Sequence, residues 1–217
     1  MNIEQARFNM IEQQIRPWDV LDTEVLSLLS VVKRELFVPA AYRNLAFADI
    51  EIPLPGGQKM LFPRVEARTL QALAVKKHET VLEIGAGSGY MAALLAARAQ
   101  HVVSVEIDPE LARFADENLR HNAVINAEVV LGDGLAGLPE QGPYDVICVS
   151  GGLPTVPPAL LQLLKPGGRL VAFVGQRPVL RAQLITRVGE QQFTVADLFE
   201  TWVDHLVNAV EPSRFKF

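Results

Sequence analysis

Apolar positions change their period twice along this chain, and the changes divide it into three regions. In residues 1–78 they recur every three or four positions over 3–15, 22–32 and 63–75, the spacing of helices that bury one face. Asp22 stands where a carboxylate caps a helix start, and Pro17-Trp18 separates the first two helices. Residues 39–46 predict a short helix, and the glycine- and proline-rich stretch 53–58 predicts a loop.

In residues 79–175 short apolar runs alternate with helical segments. Strands are expected at 80–84, 101–106, 127–131 and 144–150. A fifth is opened by a turn through Leu164-Lys165-Pro166-Gly167-Gly168-Arg169-Leu170. Such a series predicts parallel strands joined by right-handed crossovers, with a ligand at their carboxyl ends. In residues 176–217, two strand-like runs (179–188 and 192–201) flank Gly189-Glu190-Gln191, a hairpin that ends the sheet with an antiparallel strand. The expected architecture is α/β: a doubly wound, Rossmann-like sheet, mostly parallel, under an N-terminal helical cover. The whole of 1–217 reads as a single domain.

The junction of the first strand with the helix expected over 90–99 carries the most chemistry. It reads Val81-Leu82-Glu83-Ile84-Gly85-Ala86-Gly87-Ser88-Gly89-Tyr90. Glycines at alternate positions let a backbone approach a ligand where any Cβ would collide, and a following helix presents free N–H groups. This is a nucleotide-type cofactor loop. A dinucleotide fingerprint would place a third glycine at position 90, where this chain has Tyr90, and Glu83 would repel a pyrophosphate. A sulfonium cofactor with an ammonium on its methionine arm would instead welcome that carboxylate. About twenty residues on, Glu106 ends the second strand where a ribose-binding acid belongs, while Asp108 before Pro109 reads as a helix cap. Asp133, between Gly132 and Gly134, lies at the tip of the third strand and suits either a turn or a contact to the adenine ring.

Composition narrows the rest. Apolar residues make up 49% and charged residues 21%, a globular balance, and 20 basic against 25 acidic residues give a net charge of −5. With no basic run, a nucleic-acid groove is not expected. No apolar stretch reaches membrane-span length and the N-terminus lacks a signal-like core, so the expected compartment is cytoplasmic. Cys148, the single cysteine, sits in an apolar strand and reads as core. The four histidines (His78, His101, His121, His205) show no metal-ligand spacing, so no metal is expected.

The glycine loop with Glu83 resembles the first motif of S-adenosylmethionine-dependent methyltransferases. The N-terminal region narrows this further. Met10-Ile11-Glu12-Gln13-Gln14-Ile15-Arg16, Val31-Val32-Lys33-Arg34-Glu35-Leu36-Phe37-Val38-Pro39 and Ala41-Tyr42-Arg43-Asn44-Leu45-Ala46-Phe47-Ala48-Asp49 resemble the opening of protein-L-isoaspartate O-methyltransferases. So do Ile52-Pro53-Leu54-Pro55, Gly57-Gln58 and the stretch through Leu170. The resemblance implies S-adenosyl-L-methionine as cofactor, held by Glu83, Gly85, Ala86, Gly87, Gly89, Glu106, Ile107, Asp133 and Gly134. It implies a peptide or small-molecule methyl acceptor, and a repair chemistry in which an isoaspartyl carboxylate is esterified and then cyclises.

The substrate loop departs from the family's Gly-Gln-Thr-Ile-Ser-Gln-Pro. Here it reads Gly57-Gln58-Lys59-Met60-Leu61-Phe62-Pro63, so the serine regarded as the key substrate residue is Leu61 and no catalytic residue is assigned. Lys59 is the nearest substitute, since its ammonium could meet a carboxylate. Three functions stay open: the repair methyltransferase, a paralogue with a more apolar small-molecule acceptor, and a cofactor-binding module without turnover. For an acceptor that needed a general base, Asp49, Glu51 and Lys59 are the candidates.

Overall fold

The computed structural model describes residues 2–138 and 140–209, and its first third is helical as the spacing requires. Helix α1 (Ile3–Met10) runs on through a wider turn at Ile11–Ile15 and ends in a tight one at Arg16–Trp18, where Pro17 stops it. The Asp22 carboxylate caps α2 (Thr23–Val31), accepting from Glu24 N at 2.8 Å and Val25 N at 3.3 Å. The helix expected near residue 40 is a tight 3₁₀ coil, Ala40–Leu45. The expected loop is more ordered than its composition suggests. Strands β1 (Ile52–Pro53) and β2 (Lys59–Met60) pair antiparallel around a turn at Pro55–Gly57, so Lys59 sits on a small hairpin. Helix α3 (Pro63–Leu73) follows and ends at Ala74, whose φ of 44° is left-handed.

The central strands then appear as the alternation dictates: β3 (Thr80–Ile84), β4 (His101–Glu106), β5 (Ala127–Leu131), β6 (Tyr144–Leu153) and β7 (Leu164–Gln176). Between them run α4 (Tyr90–Ala96), α5 (Pro109–His121) and α6 (Pro158–Gln162). The expected fifth-strand turn lies inside β7. Its register against β6 jumps from Tyr144↔Leu164 to Val146↔Arg169, so Lys165–Gly168 bulges out of the ladder. Two antiparallel strands, β8 (Val179–Arg187) and β9 (Phe193–Thr201), complete a seven-stranded sheet in the order β5-β4-β3-β6-β7-β8-β9. The chain order reverses between β3 and β4 on one side and β6 on the other. A crevice therefore opens at the carboxyl ends of these strands.

Alternation also sorts the layers. Val81, Val102, Val146 and Cys148 face α4, α5 and the N-terminal cover, while Leu82, Val105, Ile147 and Val149 face α6. Met10, Ile15, Leu29 and Phe37 of the cover are each no more than 1% exposed. At roughly 1.5–3 kcal/mol for each such side chain, the cover is a docked layer and not a hinged lid. No helix among the described residues is long and apolar enough to cross a membrane.

Candidate active site

The loop between β3 and α4 takes its shape from glycine. Gly85, Gly87 and Gly89 have φ of 92°, 53° and 81°. At Gly89 a Cβ would lie 3.0 Å from the Ala115 carbonyl oxygen of α5, so the loop and that helix meet backbone to backbone. Glu106, at the tip of β4, ties the loop in place. One carboxylate oxygen accepts from Gly87 N at 2.9 Å, and the other accepts from Ile107 N at 2.9 Å and Asp108 N at 3.1 Å. The Asp108 side chain caps α5 as the sequence suggests, accepting from Glu110 N and Leu111 N at 2.8 and 3.1 Å.

Glu83 lies behind this surface. It is fully buried, with the Ser104 hydroxyl donating to one oxygen at 2.6 Å and the Ser150 hydroxyl to the other at 2.9 Å. Burial is the main reason its carboxyl is pushed up to about 8. Register explains the partners: Ser104 of β4 lies beside Glu83 of β3, and Ser150 of β6 is two residues past Cys148, the β6 neighbour of Glu83, and so faces the same side. The Cys148 thiol is raised by the same burial and is inert core. Ala86 is also buried, its carbonyl accepting from Gly89 N at 2.8 Å.

A cavity of about 310 Å³ opens in front of the loop, walled on that side by Gly85, Gly87, Glu106, Ile107 and Ser150. A smaller one of about 30 Å³ adjoins it, reached past Gly85, Glu106 and Ile107 and lined by Asp133, Gly134 and Leu135. Asp133 caps the following turn through Leu135 N at 3.0 Å, and its second oxygen accepts from the Asn208 amide at 3.0 Å. Of the nine residues expected to hold a cofactor, Gly85, Gly87, Glu106, Ile107, Asp133 and Gly134 line the joined cavities. Glu83 and Ala86 support from beneath and Gly89 from the side. The walls suit a nucleoside: a side-chain-free floor, a carboxylate at a strand tip and a small annex beside Asp133. No group of three or more His, Cys, Asp or Glu among the described residues could hold a metal ion.

The opposite wall comes from the hairpin. Leu61, Lys59, Glu51, Gln58 and Leu54 all line the larger cavity. Leu61 packs against the cluster of Val65, Phe173 and Val203. Its carbonyl accepts from Arg34 Nη2 at 2.7 Å, and Arg34 is itself buried beside Glu66 and 5.1 Å over the Tyr90 ring. Phe62 turns away and stacks on Arg64 at 4.5 Å, with Trp18 4.4 Å from the same guanidinium. Asp49 pairs with Arg64 and does not line the cavity. Of the three candidate bases, then, only Glu51 and Lys59 lie at the site.

One wall was not anticipated. After β9 the chain returns over the cleft, with Gly152 N donating to Asp204 O and Leu206 N to Gly152 O, both at 2.9 Å. Asp204, His205, Leu206 and Val207 thereby line the larger cavity, and Leu206 and Val207 the smaller one as well. The available signal was Gly151-Gly152. A Cβ on Gly152 would lie 2.7 Å from His205 and from Leu180, so the pair makes room for a returning strand.

Comparison with known proteins agrees with this geometry. A sequence profile described as protein-L-isoaspartate(D-aspartate) O-methyltransferase (PCMT) matches residues 5–208. A protein-L-isoaspartate O-methyltransferase of Koribacter versatilis is 42% identical over 193 residues, covering 88% of this chain and 86% of that one. One of Methanoculleus marisnigri is 44% identical over 171 residues, covering 79% and 78%. A solved protein-L-isoaspartate O-methyltransferase superimposes with a TM-score of 0.80 at 26% identity, covering 94% of this chain and 67% of that one. A Plasmodium falciparum beta-aspartate methyltransferase in complex with S-adenosyl-L-homocysteine shares the fold, with a TM-score of 0.77 at 19% identity over 95% and 98% of the two chains. This chain belongs to the protein-L-isoaspartate(D-aspartate) O-methyltransferase family.

Proposed function

We propose that the joined cavities are where this S-adenosylmethionine-dependent methyltransferase binds its cofactor, and that the hairpin wall receives the isoaspartyl carboxylate of a damaged protein. The Glu106 arrangement carries the reading: three N–H groups orient one carboxylate at the mouth of a glycine floor, beside a nucleoside-sized cavity. Glu106 would hold the ribose hydroxyls. Asp133, with Gly134 behind it, would meet the adenine amino group, and Ser150 over Glu83 would face the methionine arm.

Bound there, the cofactor supplies an electrophilic methyl group on a sulfonium. The acceptor carboxylate is ionised near neutral pH and needs no general base, so the protein's task is to bring an oxygen into line and exclude water. Leu61 and Leu206 provide the dry walls. The product ester is neutral, and attack of the neighbouring backbone amide nitrogen on its carbonyl expels methanol and closes a succinimide without the enzyme. The chain acts as one methyltransferase domain, and a cytoplasmic setting goes with its single buried free cysteine.

The test pairs an isoaspartyl peptide with its aspartyl counterpart in the presence of labelled cofactor. Base-labile label on the isoaspartyl peptide alone is expected. Cofactor binding by calorimetry without that label would reject repair. Leu61 on the wall would then favour a more apolar acceptor, sought by labelling a small-molecule extract.

A further inference from the structure

The substitution that removes the hydroxyl from the substrate loop is accompanied by an ion cluster bridging the cleft's two outer walls. Lys59 Nζ lies 2.8 Å from Asp204 Oδ2 and 3.6 Å from Glu51 Oε2, and all three residues line the same cavity as Leu61 and Ser150. Lys59 belongs to the hairpin and Asp204 to the returning tail, 145 residues apart in sequence. Lys59 and Asp204 keep 41% and 42% of their side-chain surface exposed, so the pair is wet and exchangeable.

Two physical points give this cluster a direction. A lone ammonium at the mouth of a pocket for a cationic sulfonium would repel it, and two carboxylates neutralise that ammonium. A carboxylate hydrogen-bonded to an ammonium through one oxygen also keeps its other oxygen free. The geometry of Asp204 on Lys59 is therefore the geometry an acceptor carboxylate needs if one oxygen is held and the other attacks. Glu51 is the weaker partner, being farther away and with burial raising its carboxyl.

We propose that Lys59 binds the acceptor carboxylate in place of the missing loop hydroxyl, and that Asp204 occupies the Lys59 ammonium until an acceptor displaces it. The inference rests on the reading of this cleft as the isoaspartyl site. It makes the tail a self-competitor: the acceptor exchanges one carboxylate for another at Lys59, with Glu51 remaining to limit the excess positive charge. In this site the anchor is a charge and not a neutral hydroxyl, so acceptor affinity depends on ionic strength.

The experiment measures binding of a fluorescent isoaspartyl peptide to protein saturated with S-adenosylhomocysteine, beside the same peptide with that carboxylate converted to its amide. Methyl transfer and S-adenosylhomocysteine affinity are recorded on the same variants. Wild type is expected to prefer the carboxylate about tenfold, the scale of one charge-assisted hydrogen bond. Lys59→Met should erase the preference, Lys59→Arg should restore part of it, and neither should move S-adenosylhomocysteine affinity more than about twofold, since they leave the glycine floor intact. Asp204→Asn should tighten carboxylate binding severalfold. A preference that survives Lys59→Met, or no binding of the carboxylate peptide at all, would overturn the assignment of Lys59. Weaker peptide binding in Asp204→Asn would make Asp204 a brace for the tail and overturn the competitor role. Carboxylate-selective binding without methyl transfer would reject the repair function and leave the anchor standing.

Discussion

The two walls of the cleft are built on different principles. The cofactor wall is local: Glu83, the glycine loop and Glu106 lie within 24 residues, on adjacent strands whose pairing places each group. The acceptor wall is assembled from distant pieces, a hairpin at 52–60, the end of β6 and the tail at 204–207. The first is rigid because every support is a backbone bond or a buried hydroxyl. The second sets buried anchors, Ile52 and Met60 under the hairpin and Val203 under the tail, around an exposed ion pair, a contact that opens at little cost. One half of the site can hold a constant cofactor while the other varies with its acceptor.

Mutations should separate the halves by what they change. The largest effect is expected from Glu106→Ala, which leaves three N–H groups without their acceptor. S-adenosylhomocysteine affinity should fall about tenfold to a hundredfold by calorimetry, at one to three kcal/mol for the unmet groups. Unchanged affinity would mean the ribose site is elsewhere. Next comes Glu83. Its folded carboxyl titrates near 8, above the 4.5 of an exposed glutamate, so the folded state binds the extra proton between those values. Its contribution to stability is present below about pH 4.5 and is lost as pH rises toward 8, at up to about 1.4 kcal/mol per pH unit. Glu83→Gln should flatten that part of a denaturation profile; an identical slope would show that Glu83 does not titrate there.

Asp133→Ala removes a turn cap and the Asn208 contact, and should weaken S-adenosylhomocysteine by about fivefold, near 1 kcal/mol, with acceptor KM unchanged. A shift in acceptor KM alone would put Asp133 on the wrong wall. The smallest change is Leu61→Ser, which returns a hydroxyl to the acceptor wall and should raise kcat/KM for an isoaspartyl peptide about two- to threefold, the worth of one neutral hydrogen bond. No gain would show that Lys59 already serves the purpose and that the loop needs no serine.

The cofactor wall was legible because its signals are short-range. A Gly-x-Gly-x-Gly after an apolar run and an acid twenty residues on specify backbone shape and strand ends, whatever the rest of the chain does. Other features depended on context that composition does not carry. The stretch 53–58 is the loop its composition predicts, but only the pairing of Ile52 with Met60, both nearly fully buried, makes it the turn of a hairpin. Phe62 of the substrate loop stacks on Arg64, whose guanidinium also lies over Trp18, 44 residues before Phe62 in the chain. The tail at 204–207 has no local motif of its own, although Leu206 and Val207 wall both cavities.

By itself the sequence determined the alternating layers, the crevice at the strand tips and the family, since each follows from periodicity or from residues adjacent in the chain. Only the tertiary structure decided that Glu83 supports the site from beneath, that Lys59 meets Asp204 and that the tail forms a wall. Those relations depend on which strands are neighbours and where a chain end returns. Such distances are set by the packing of the whole sheet, and no local pattern encodes them.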